Sequence, residues 1–218
     1  NIIPCDIYNS FLNSLASQKF SINLIPGNFK DYSELFYRLK KEYKGIIILQ
    51  HSSSTLLSIK LAKMDNSIKN LIFIDPVDNR IFFEEYRKIN NKIDLFTVKK
   101  ILFLKAGRSY QWKLNPPTVP FIPFLSLKPE SFNLNRKCKV STVEATDFGH
   151  TDILDKSLSD FMHNSRISVG ISDRNRTLLM DYHSWLSEVI HCFCYYNDLQ
   201  EKDFNKYDKI KFTLEKED

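Results

Sequence analysis

At 218 residues the chain has the length of one domain with a sizeable core, or of one domain with a tail. Its 43% hydrophobic and 26% charged residues are ordinary for a globular protein. The net charge of +5 is spread along the chain without a dense Lys/Arg stripe, which argues against nucleic-acid binding, and no run approaches the roughly 18 apolar residues that cross a bilayer.

In chain order, Tyr8–Ser17 reads as a helix with Phe11, Leu12 and Leu15 on one face. A short strand is expected over Phe20–Ile25, then a helix over Tyr32–Lys41 carrying Leu35, Phe36 and Leu39. Gly45–Gln50, Leu71–Ile74 and Lys100–Leu104 are almost wholly apolar and suit parallel strands buried on both faces. Between the first two lies a helical stretch, Ser53–Met64, with Leu56, Leu57, Ile59 and Leu61. Segment 115–135 contains Pro116, Pro117, Pro120, Pro123 and Pro129 and reads as a long irregular loop. A fifth strand is expected over Lys139–Ala145 and a long amphipathic helix over Leu178–Tyr195. Helices alternating with apolar strands predict an α/β fold, a doubly wound and mainly parallel sheet, over residues 1–200. Residues 201–218, charged and poor in apolar side chains, read as a solvated C-terminal tail.

Ligands and reacting groups of open α/β sheets sit at the carboxyl ends of the strands. Gly45–Gln50 opens into His51-Ser52-Ser53-Ser54-Thr55 and then a helix, the setting of a nucleophile elbow. The helix start behind Ser52 supplies backbone N–H groups for an oxyanion, that of Ser53 first. Leu71–Ile74 runs into Asp75-Pro76, where the proline imposes an extended exit. The last expected strand leads to Asp147-Phe148-Gly149-His150, a loop that can aim an imidazole. The order Ser52, Asp75, His150 is the serine-hydrolase order on α/β sheets. In that chemistry His150 takes the serine proton and Asp75 holds the imidazole. Taken singly, each has a plainer reading, as helix cap, turn residue or structural histidine.

Other residues suggest less chemistry. Cys5, Cys138, Cys192 and Cys194 lack metal-ligand spacing and read as free thiols, so no metal and no cofactor are expected. His163, His183 and His191 read as surface or core-edge residues, and Trp112 and Trp185 as packing residues.

The motifs resemble one family. Tyr8-Asn9-Ser10-Phe11 through Phe20 is similar to the "YS..L..IASHGF" segment of chlorophyllases, the α/β-hydrolases that remove phytol from chlorophyll. Gln50-His51-Ser52-Ser53-Ser54-Thr55 falls on their "GHSRGG" elbow and agrees at His51 and Ser52. Ile74-Asp75-Pro76-Val77-Asp78-Asn79 is similar to "IDPVDG", and Asp147-Phe148-Gly149-His150-Thr151-Asp152-Ile153-Leu154-Asp155 to "DYGHMDMLDD". The stretch from Asn115 to Pro123 resembles the proline-rich "NP…PPCAP" loop, and Cys138 lies near that family's cysteine cluster.

This resemblance implies Ser52 as nucleophile, Asp75 as acid, His150 as base, and chlorophyll or another lipophilic ester as substrate or ligand. It implies a plastid setting, associated with the thylakoid. The family's His-Gly turn, source of a second oxyanion donor, would fall ahead of Asn1, so an α/β-hydrolase-like sheet apparently lacking its N-terminal strands is expected. Both elbow glycines are replaced, by Gln50 and Ser54. These departures predict impaired catalysis and a role as a tetrapyrrole-binding or structural accessory subunit of a photosystem or light-harvesting complex. The alternatives are an active esterase on the phytyl ester of chlorophyll or another lipophilic ester, and a lipase-like or thioesterase-like hydrolase outside photosynthesis.

Overall fold

A computed structural model describes residues 5–25, 31–77, 92–111, 126–164, 170, 176–196 and 198–217. Asp78, Asn79, Trp112, Asn115, Pro116, Pro117, Pro120 and Pro123, singled out above, lie outside the described residues. Five α-helices are present among those described: α1 (Asn9–Ser17), α2 (Tyr32–Glu42), α3 (Thr55–Met64), α4 (Lys156–Asn164) and α5 (Arg176–Tyr195). The strands are β1 (Ile47–His51), β2 (Asn70–Ile74), β3 (Ile93–Asp94), β4 (Lys100–Ala106), β5 (Phe132–Asn133), β6 (Lys139–Ala145) and β7 (Phe212–Glu217).

Five strands form one mainly parallel sheet in the order β1-β2-β4-β6-β7, and β3 pairs with β5 separately. β1 runs parallel to β2 from Ile47↔Asn70 to His51↔Ile74, and β2 parallel to β4 from Asn70↔Lys100 to Ile74↔Leu104. With helices flanking the sheet, this is the α/β architecture that the alternating pattern predicts. The chain divides into two compact units, one of Asn1–Asn28, Ala106–Pro123 and Val143–Leu214, the other of Phe29–Lys105, Phe124–Thr142 and Glu215–Asp218.

In the second unit Leu71, Ile72, Phe73 and Ile74, with Ile101, Leu102, Phe103 and Leu104, are almost completely buried. Central parallel strands are covered on both faces, so their sequences can be apolar throughout. Phe73, Phe103 and Phe132 close this core, with ring centroids 5.3 Å (Phe73–Phe103) and 5.7 Å (Phe73–Phe132) apart. β1 departs from the expectation of full burial. Ile47, Ile48 and Leu49 are only half-buried, because β1 lies at an edge of the sheet. In the first unit α1 packs on α5 through Phe11 and Leu15, and Trp185, Leu186 and Val189 fill the middle of the long helix.

Three further expectations fail. Phe20–Ile25 is not a strand. Lys19 takes a left-handed φ of 67° after α1, and the Phe20 ring packs on His191 and Tyr195 of α5, at 6.2 and 5.8 Å between centroids. Segment 115–135 is not irregular throughout, since it contains the 3₁₀ turn Pro129–Ser131 and strand β5. Residues 201–218 are not a solvated tail. They contain the 3₁₀ turn Glu201–Phe204, with Phe204 fully buried, and β7, which takes the sheet edge beside β6. Helix α4, absent from the sequence reading, begins after Asp155, whose carbonyl accepts from Leu158 and Ser159 N–H.

Candidate functional site

β1 delivers its last residue, His51, into a 3₁₀ turn, Ser52–Ser54, that runs directly into α3. Ser52 has φ 58°. An L-residue enters this region only under local constraint, and the constraint is visible. The Ser52 carbonyl accepts from the Thr55 hydroxyl at 2.9 Å and from the Val77 N–H at 3.2 Å. One bond ties the turn to the helix start, the other to the chain leaving β2. A serine on a strained strand-turn-helix junction is the backbone signature of a nucleophile elbow. Ser53, whose N–H is the expected oxyanion donor, is the middle residue of the turn.

Asp75 follows β2 with φ 42°, and its N–H donates to the Leu104 carbonyl at 2.7 Å. Since His51 pairs with Ile74, Ser52 and Asp75 each stand one residue past paired strand ends. Parallel register thus brings these two expected site residues to the same carboxyl edge.

Gln50 and Ser54, which replace the elbow glycines of the resembling family, do not unwind the turn. The Ser54 hydroxyl lies 3.0 Å from Gln50 Oε1 and 2.8 Å from the His51 carbonyl, both of which accept. Gln50 is only 4% exposed, and its Nε2 has no hydrogen-bond partner among the described residues. A buried amide donor left unpaired costs about 1–3 kcal/mol. The side-chain bond spanning the turn is what the glutamine contributes locally.

His150 belongs to the other unit. β6 ends at Ala145, and the loop beyond it is held from several sides. The Arg108 N–H donates to the Phe148 carbonyl at 2.8 Å, and the Arg108 guanidinium reaches the Gly170 carbonyl at 2.8 Å and the Asp147 carboxylate at 3.5 Å. The Phe148 ring stacks on Tyr182 with centroids 3.9 Å apart. His150 is buried, and two residues on stands Asp152, 2% exposed. Asp152 Oδ2 accepts from the Gly149 N–H at 2.8 Å, while Oδ1 accepts from the Ser159 hydroxyl at 3.2 Å and from His163 Nε2 at 3.0 Å. The Asp152 N–H returns to the Gly149 carbonyl at 3.0 Å.

His183 completes the arrangement. Its Nε2 lies 2.9 Å from the Asp152 carbonyl and its Nδ1 2.9 Å from the Ser10 hydroxyl. A carbonyl only accepts, so in the neutral ring Nε2 carries the hydrogen and Nδ1 accepts from Ser10. Burial pushes the His183 imidazole below its ordinary range, against the Asp152 carbonyl and the charges of Asp155 and Asp152, which draw it up. His183 is therefore a core residue where a core-edge or surface role was expected, while His163 holds a core-edge place and partners a carboxylate. The sequence signal was the Asp of the Gly149-His150-Thr151-Asp152 motif, whose partners lie 11 and 31 residues away.

Cys138, Cys192 and Cys194 form no disulfide among the described residues, and burial raises the Cys138 and Cys192 thiols to about 11, which keeps them unreactive near neutrality. Among the described residues no group of three or more His, Cys, Asp or Glu is arranged to hold a metal ion, and no helix is long and apolar enough to cross a membrane.

These features define the class: an α/β protein with a mainly parallel five-stranded sheet that presents a left-handed serine and an aspartate at neighbouring strand ends. No protein-family model and no curated protein matches the chain.

Proposed function

We propose that the chain is a chlorophyllase-like serine carboxylesterase of the α/β-hydrolase type. Ser52 is the nucleophile, His150 the general base, Asp75 the acid and the Ser53 N–H an oxyanion donor. The observation that carries the reading is the φ of 58° at Ser52, on the turn between β1 and α3. A serine that only capped a helix would sit in extended backbone, with no reason to hold a strained angle. In the reaction, Ser52 Oγ attacks the ester carbonyl as its proton passes to His150. The tetrahedral oxyanion collapses to an acyl-enzyme, and the alcohol departs with the proton from His150. Water, deprotonated by His150, then releases the acid. The substrate class is a lipophilic ester, with the phytyl ester of chlorophyll the case the motif resemblance suggests and a thylakoid-associated plastid location its natural setting.

A second reading rests on Gln50. Its buried, half-unsatisfied side chain at an elbow position favours a chain that has kept the fold but serves as a tetrapyrrole-binding or structural subunit of a photosynthetic complex. Labelling of the purified protein with a fluorophosphonate probe, beside hydrolysis of p-nitrophenyl and pigment esters, separates the two. The esterase reading expects labelling and turnover on the order of 1 s⁻¹ or faster, both lost in Ser52→Ala. Equal, negligible rates from both proteins overturn it. Retained chlorophyll or chlorophyllide binding would then support the second reading.

A further inference from the structure

We propose that Asp152 is a positioning residue that fixes the loop carrying His150, through a buried network with Ser159, His163 and the Gly149 amide. The role in turnover rests on the esterase reading; the placement of His150 does not.

His150 lies between the two residues of a closed loop. The Asp152 N–H bonds to the Gly149 carbonyl at 3.0 Å and the Gly149 N–H to Asp152 Oδ2 at 2.8 Å. One backbone and one side-chain bond therefore clamp the four residues from Gly149 to Asp152 from both directions, which restrains the Cα of His150. The second carboxylate oxygen is anchored in turn to α4, through Ser159 at 3.2 Å and His163 at 3.0 Å. The clamp is thus tied to a helix. The Asp152 carbonyl is taken by His183 of α5, whose other ring nitrogen is held by Ser10 of α1. Three helices bear on one carboxylate residue two positions from the proposed base. Gly170 packs so closely on His163 and Asp152 that a Cβ there would collide with both side chains.

A carboxylate this well buried must be matched by donors, and the donors here define a direction. They hold the loop through Asp152 and leave the task of proton transfer to His150. A general base displaced by about 1 Å loses on the order of 10² in rate, so a clamp of this kind is read in kcat rather than in substrate binding.

The test compares Asp152→Ala with Asp152→Asn in the full chain. Asparagine can accept from the Gly149 N–H and offer its NH₂ to Ser159 and to His163 in its other tautomer, so it can rebuild the clamp. Expected for Asp152→Ala are a kcat about 10²-fold lower with KM within about threefold, faster exchange of the amides from Gly149 to Asp152, and faster carbethoxylation of His150. Asp152→Asn stays within about threefold of the wild type in every measurement. An unchanged kcat in Asp152→Ala, a loss confined to KM, or equal damage in both variants overturns the proposal. If Asp152→Ala does not fold, Ser159→Ala removes one tether, and an exchange rate and kcat equal to wild type then overturn it. Should the wild-type protein show no Ser52-dependent turnover, the esterase reading fails by itself, and exchange and carbethoxylation still decide whether Asp152 places His150.

Discussion

Lys19, Ser52 and Asp75 hold φ values of 67°, 58° and 42°, a region that costs an L-residue about 1–2 kcal/mol. Lys19 has a structural reason, since its N–H satisfies the Ala16 carbonyl at the end of α1 in the manner of a left-handed cap. The other two stand at adjacent strand ends, and strain of this sort clusters at functional sites. A consequence is measurable at Ser52. Replacement by Ala and by Gly both delete the hydroxyl, but only Gly relieves the backbone, so Ser52→Gly is expected to exceed Ser52→Ala in stability by about 1–2 kcal/mol in urea unfolding. Ala equal to or above Gly would show that the turn is unstrained. The loss of glycine at positions 50 and 54 reads, in sequence, as damage to the elbow. The Ser54–Gln50 bond that bridges the turn is a side-chain compensation no composition argument could supply.

At the scale of elements, legibility followed burial. Leu71–Ile74 and Ile101–Leu104 declare themselves because central parallel strands tolerate apolar residues at every position, and both are buried throughout. α1, α2, α3 and α5 declare themselves by their apolar stripes. The strand pattern of Phe20–Ile25 misleads because apolar alternation marks a buried side, not the partner that buries it; here Phe20 finds helix α5. β7 hides for the opposite reason. An edge strand carries charges such as Glu215 and Lys216, which protect an open edge and imitate a solvated tail. The apolar anchors of this segment are Phe204, fully buried, and Phe212, whose ring meets Phe204 and Trp185 at centroid distances of 5.7 Å each. Phe204→Ala is expected to cost about 3–5 kcal/mol, read as a lower urea midpoint with unchanged slope. A cost below about 0.5 kcal/mol, the size of an ordinary surface substitution, would return residues 201–218 to the status of a tail.

For the molecule as a whole, acid lability has an identifiable contributor. The folded-state value of His183 lies below its ordinary 6.5. Between the two, the unfolded chain binds more protons than the folded one, so stability present above about pH 6.5 is lost as pH falls. The melting temperature of the wild type should therefore drop more steeply from pH 7.5 to 5 than that of His183→Gln; parallel curves would assign the acid sensitivity elsewhere. The same histidine shows how the molecule is assembled. Its bond to Ser10 spans 173 positions, and Ser10 N–H reaches the Asp155 carboxylate across 145. Residues 29–105 and 124–142 make up nearly all of one unit, while the other gathers residues 1–28, 106–123 and 143–214. During synthesis at roughly 5–20 residues per second, α1 leaves the ribosome on the order of ten seconds or more before α5. Throughout that interval Phe11 and Leu15, which the finished protein buries, have no native partner helix. Contacts of such sequence separation also slow folding once the chain is complete. Nascent-chain maturation is therefore the stage at which transiently exposed apolar surface of this kind favours aggregation.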